Sequence, residues 1–197
     1  MEPKDLTSYL GLAAIYLLSA NVLLGLLMGV RYNPWKRWPH RRISILKLHN
    51  WSAYVALGIA VLHPIPLLFV EKPRFRFVDI VWPVSSPEQP LVNSLGAISL
   101  YLLAFTVITS IYRAKIGRQR WKPLHYLTYL LATVFIIHGS LTDQHLDNSG
   151  IDLLDAEKVG IMACGLVILV ASVWRARWAL RHPKYQPPAE RVQRVTA

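Results

Sequence analysis

The sequence predicts an all-α membrane protein with about five spanning helices, and three observations predict it. Hydrophobic residues make up 53% of the 197, and they are concentrated in runs long enough to cross a bilayer. Lysine and arginine crowd into alternate connections, as positive-inside topology requires. Tryptophans flank those same connections, as an interfacial aromatic belt does.

The first span is about Leu6–Val30. The second, about Ile43–Val70, is expected to end raggedly, because Pro64 and Pro66 remove helix hydrogen-bond donors. The third is about Leu91–Tyr112. The fourth is about Leu124–Leu141, with Pro123 suited to a helix start, and the fifth is about Glu157–Trp174. At a rise of about 1.5 Å per residue each can cross an apolar core of about 30 Å, the shorter ones with interfacial ends. Met1–Asp5 has no clean basic region and the run behind it exceeds a signal-peptide core, so the first helix is read as uncleaved.

Charge fixes the orientation. Arg31, Lys36, Arg37, Arg41, Arg42 and Lys47 follow the first span. Arg113, Lys115, Arg118, Arg120 and Lys122 follow the third, and Arg175, Arg177, Arg181, Lys184, Arg191 and Arg194 follow the fifth. Of the 22 basic residues only Lys4, Lys72, Arg74, Arg76 and Lys158 fall on the other side, with every acid but Glu190. The N-terminus is therefore expected outside and the C-terminus in the cytoplasm, in a multi-pass protein of the inner (cytoplasmic) membrane. Trp35, Trp38, Trp121, Trp174 and Trp178 fall near the cytoplasmic interface. Residues 1–178 form the membrane domain, and 179–197 are expected to be a basic, disordered tail. In the outer loop 71–93, the stretch Phe75–Trp82 is a candidate surface-lying amphipathic piece. The acidic segment 143–156 reads as a solvated loop.

Several functions are disfavoured. The single cysteine, Cys164, excludes an intrachain disulfide framework, a cysteine-rich zinc site and a four-cysteine iron–sulfur site. No glycine-rich phosphate loop or internal repeat occurs. The net charge of +11 would suggest nucleic acid in a soluble protein. Here its confinement to one side assigns it to topology and to anionic lipid, so no nucleic acid partner is expected.

Four histidines are the chemical signal. His49 and His63 lie in the second span, His125 and His138 in the fourth. Those spans are parallel, because one span lies between them. His49 and His125 therefore enter at the cytoplasmic end, and His63 and His138 lie farther out. Separations of 14 and 13 residues correspond to about 21 and 20 Å of helical rise. Depth matches pairwise, but azimuth does not. At about 100° per residue, His63 falls about 40° from His49, while His138 falls about 140° from His125. The fourth helix must be tilted or distorted, or the two sites must approach it from different sides.

Ionisable side chains inside a span are costly and usually functional. A single intramembrane histidine is as often a helix-packing hydrogen bond as a ligand; two depth-matched pairs favour ligation. Imidazole suits haem iron, zinc and copper. Zinc calls for more ligands, and no Cys, Asp or Glu lies at these depths. Haem needs only two axial ligands, its apolar body suits a helix bundle, and its propionates favour nearby cations. Arg41, Arg42, Arg113 and Arg120 are candidates at the inner site, and Lys72, Arg74 and Arg76 at the outer one. His40, His145 and His182 read as surface residues, and Asn21 as helix-packing glue.

The stretch Leu48-His-Asn-Trp through Val61-Leu-His63 resembles the first ligand helix of the ferric reductase-like transmembrane superfamily. Leu95–Ser99 through Thr109–Arg113 resembles its next span, and Trp121-Lys-Pro-Leu-His125 through Ile137-His-Gly139 its second ligand helix. The likeness runs over about residues 10–142. It implies two b-type haems in a di-haem bundle, with His49 and His125 on the inner iron and His63 and His138 on the outer one. The 14 and 13 spacings match the reductase and oxidase branch. Full-length members of that branch continue into flavin and nicotinamide domains, whereas only about 20 residues follow the last span here.

The leading expectation is therefore an electron-transfer membrane subunit, an oxidoreductase component. Its donor would be a separate flavoprotein or quinol, and its acceptor an outer molecule or periplasmic redox partner. A quinol-linked haem subunit of a periplasmic reductase is the second reading. A non-redox structural subunit of a larger membrane complex is the third.

Overall fold

In the computed structural model, residues 2–34, 43–142 and 156–182 are described. They form α1 (Pro3–Gly29), α2 (Ile45–Leu62), a 3₁₀ turn (Ile65–Phe69), α3 (Phe77–Val81) and a second 3₁₀ turn (Pro83–Ser85). There follow α4 (Pro90–Ile111), α5 (Arg113–Ile116), α6 (Arg118–His125), α7 (Leu127–Leu141) and α8 (Ala156–Arg181). Five helical stretches are long and apolar enough to span a membrane: Pro3–Gly29, Ile45–Phe69, Pro90–Ile111, Arg118–Leu141 and Ala156–Arg181. The protein is all-helical, as its sequence predicts. Trp35, Trp38, His40, Arg41, Arg42, the segment 143–155 and the tail from 183 onward lie outside the described residues.

Helix ends follow local chemistry. Ser44 caps α2 by accepting from the Lys47 amide at 3.4 Å. α2 runs regularly to His63, whose amide still donates to the Ile59 carbonyl at 2.8 Å. Pro64 and Pro66 then force the 3₁₀ turn. α8 runs through Arg181, beyond the expected end at Trp174.

The fourth span differs most from expectation. Pro123 does not start the helix but lies inside α6, where it withholds the amide that would bond to Gln119. The helical path then breaks at Tyr126, with φ −69° and ψ −13°. Thr128 Oγ1 donates to the His125 carbonyl at 2.8 Å. That carbonyl would otherwise accept from the Tyr129 amide, which bonds instead to the Tyr126 carbonyl at 3.1 Å. A side chain inserted into the helical ladder bends a helix. A distortion, one of the alternatives the histidine azimuths left open, is thus present directly after His125.

α1 packs on α2 and α8, and α4 on α7. Cross-helix contacts fix their directions. The start of α1 meets the end of α2 (Thr7 with His63), and its middle meets the start of α2 (Asn21 with His49). The start of α4 meets the end of α7 (Val92 with His138). Gly160 and Gly29 on α8 and α1 abut Tyr16 and Arg175, so α8 runs parallel to α1. The shared core takes Ile15 and Leu18 from α1, Ala56 from α2, Leu103 from α4, Phe135 from α7 and Ile161 from α8. Leu166, Leu169 and Val170 of α8 are exposed. Large apolar side chains facing outward are what lipid, as solvent, permits.

Candidate functional site

The fold brings the four histidines into two pairs. The rings of His49 and His125 have centroids 6.3 Å apart and planes at 79°. Those of His63 and His138 stand 6.4 Å apart at 76°. The pairs occupy opposite ends of the bundle, because α2 and the α6–α7 span run in the same sense.

Each ring is braced by a neighbouring helix. His63 Nδ1 lies 2.8 Å from the Thr7 carbonyl, His138 Nδ1 2.9 Å from Val92, and His49 Nδ1 3.1 Å from Asn21. A carbonyl only accepts, so each Nδ1 carries the proton and Nε2 keeps its lone pair. This is the second-shell arrangement that orients histidine ligands on metals. His125 differs. Its Nδ1 lies 3.4 Å from Ser110 Oγ, which also accepts from Trp121 Nε1 at 3.4 Å. The Trp121 indole stacks on the His125 ring, 4.7 Å between centroids and 26° between planes. Expected as a belt residue, Trp121 is a wall of the site.

Sequence reasoning missed the residues that make room for the rings. A Cβ on Gly11 would stand 2.7 Å from His63 Cε1, and one on Gly96 2.8 Å from His138 Cε1. A Cβ on Gly25 would stand 3.4 Å from His49 Cε1. Their signal was available, since glycine is unfavourable in a helix interior unless something approaches closely. Asn21, expected as packing glue, is that and more. Its Nδ2 donates to the His49 carbonyl at 2.6 Å and to Ser52 Oγ at 2.7 Å, while its own carbonyl braces the His49 ring.

The candidate cations fare unevenly. Arg76 is committed to Asp79: Nε donates to Oδ2 and Nη2 to Oδ1, both at 3.1 Å. The guanidinium, with the Arg76 amide, holds the Asp79 carboxyl below the usual carboxylate range. Arg74 and Lys72 are exposed. Arg113 is close enough for its charge to act on His125, while Arg120 is exposed in the first turn of α6. Arg175, counted from sequence among the topology charges, fits against Gly29 and donates from Nη1 to the Tyr129 hydroxyl at 2.8 Å.

A cavity opens at the His63–His138 pair, walled by Leu12, Ile15, Leu100, Leu103 and Phe135. Its end is polar, with Lys4, Thr7, Ser8, Asn93, Glu157 and Lys158. These residues fit haem. Imidazole nitrogen binds a transition metal at about 2.0–2.1 Å, so two rings sharing one ion stand with centroids roughly 6 Å apart. Both pairs have that separation. Among the described residues no group of three or more His, Cys, Asp or Glu side chains converges. Two imidazoles suit an ion whose other positions a macrocycle fills.

The family model for the ferric reductase like transmembrane component matches residues 10–136. The chain belongs to this family, a class of transmembrane electron-transfer components whose members generally bind haem. The match takes in His49, His63 and His125 and ends just short of His138. Comparison with curated proteins and with solved structures returned no match.

Proposed function

We propose that this protein is a b-type cytochrome subunit carrying electrons across the inner membrane between two bis-histidine haems. His49 and His125 would hold the cytoplasmic one, His63 and His138 the outer one. The observation that carries the reading is the double bracing. Two histidine pairs, at opposite ends of the bundle, have the separation of shared ligands, with Nδ1 of three rings tied to main-chain carbonyls.

The haem iron, when bound, supplies one-electron chemistry; the protein supplies ligands, geometry and an apolar surround. The Thr7, Val92 and Asn21 carbonyls hold their imidazoles in the tautomer that leaves Nε2 free. Gly11, Gly25 and Gly96 let the rings lie close against α1 and α4. His49 with His125 and His63 with His138 would supply the protein ligands of the two haems, and such a ligand set suits outer-sphere electron transfer to an acceptor. The basic loops mark the cytoplasmic side and suit an acidic donor flavoprotein; quinol in the membrane is the other donor class.

The test is a haem count with optical redox titration of wild type and of His49→Ala, His63→Ala, His125→Ala and His138→Ala. Two haems per chain with low-spin b-type spectra are expected, one being lost with either member of a pair. A folded, colourless wild type, or four variants that keep both haems, would overturn the reading.

A further inference from the structure

The polar end of the outer cavity contains an ammonium group that makes no ion pair among the described residues. Lys158 is only 6% exposed and lines the cavity with His63 and His138. Among the described residues it makes no hydrogen bond or ion pair. An ammonium that faces a cavity without a bond to the protein is free to meet an anion there. Lys4 lines the same end, from the first turn of α1. Two carboxylates also face the cavity, Asp79 and Glu157. Asp79 is neutralised by Arg76, whose side chain reaches it from the exposed surface. The two lysines therefore outnumber the one remaining acid. α1, α4 and α8 all begin at this end, and their N-termini add partial positive charge.

We propose that Lys158, with Lys4 beside it, binds the carboxylate groups of the prosthetic group held by His63 and His138. Of Lys72, Arg74 and Arg76, the cations expected there from sequence, Arg76 is committed to Asp79 and the other two are exposed. The inference rests on the haem reading, yet Lys158 lies outside the segment that matches the family. The ring edge bearing the acid groups would point toward the starts of α1 and α8. A positive charge there disfavours the oxidised, more positive iron, so Lys158 would also raise the potential of that haem.

Purified full-length protein in detergent carries the test, as wild type, Lys158→Gln, Lys158→Arg, Lys4→Gln and Arg76→Gln. Haem content, low-spin spectrum and both midpoint potentials are read together. Lys158→Gln should lower one midpoint potential and leave the other in place, with the spectrum still low-spin. Lys158→Arg should restore the wild-type value, which a merely structural lysine would not predict. Lys4→Gln should give a smaller shift of the same haem, and it carries the test if Lys158→Gln does not fold. Arg76→Gln should move neither potential. Two haems in the wild type, with potentials unmoved by loss of Lys158 and Lys4, would overturn this inference and leave the cytochrome reading standing. A wild type without haem would overturn both.

Discussion

Glycine and histidine stand together at three of the four proposed ligand positions. The rings of His63 and His138 crowd the places where Cβ atoms on Gly11 and Gly96 would stand, while a Cβ on Gly25 would be in ordinary contact with His49, at 3.4 Å. The first two contacts are shorter than real Cβ atoms tolerate, and each ring is also held by a carbonyl. Alanine at Gly11 or Gly96 should therefore displace the ring, whereas Gly58 has open space around its Cβ position. We expect Gly11→Ala and Gly96→Ala to lower haem content at the His63–His138 site, Gly25→Ala to perturb the other site more mildly, and Gly58→Ala to change nothing. Pyridine haemochrome assay with optical titration measures this. Equal haem content in all four would show that the rings yield without cost. The glycines were visible in the sequence, but which of them faced a histidine was not. That pairing joins residues on different helices, between Gly11 and His63, Gly96 and His138, and Gly25 and His49.

At the scale of elements, the break between α6 and α7 reconciles the 13-residue histidine spacing with two sites. A regular helix would point His125 and His138 about 140° apart. The Thr128 hydroxyl takes the His125 carbonyl, and the tightened turn at Tyr126 re-aims the segment carrying His125. Thr128→Val keeps the shape and removes the donor. It should return the Tyr129 amide to the His125 carbonyl, straighten the span and shift the spectrum of the His49–His125 haem alone. Thr133→Val is the matched control, since Thr133 Oγ1 makes an ordinary bond to the Tyr129 carbonyl one turn back, at 3.0 Å. Identical spectra in the two variants would rule out this role for the break. The need for a distortion was legible from spacing alone. Its cause was not, because a threonine hydroxyl in a helix bonds either way and only the surrounding packing selects the choice.

At the scale of the molecule, the helix directions place the two pairs at opposite ends, and the charge asymmetry of the sequence proposes which end faces which side. With Cys164→Ser as background, Ser85→Cys, at an exposed position, should react with an impermeant maleimide in intact cells, and Lys115→Cys, also exposed, only after the membrane is opened. The reverse pattern would invert the direction of electron flow proposed above. Helix packing is also what separates the cations. Arg76 and Lys158 both read as outer-side charges in the sequence. The fold commits the first to Asp79 and places the second in the cavity beside Lys4 and Glu157.

The sequence by itself determined the class of protein, the five spans, the depth of each histidine and the charge difference between the two sides. Hydrophobic length, proline and charge placement are local properties and act through a known helical rise. Only the tertiary structure decided which groups brace the rings, which glycines clear space for them, and which lysine stands unpaired beside them. Those facts depend on azimuth and on neighbours distant in the chain. A helix rotates about 100° with each residue, so one local distortion such as that at Tyr126 changes every facing contact while leaving depth nearly untouched.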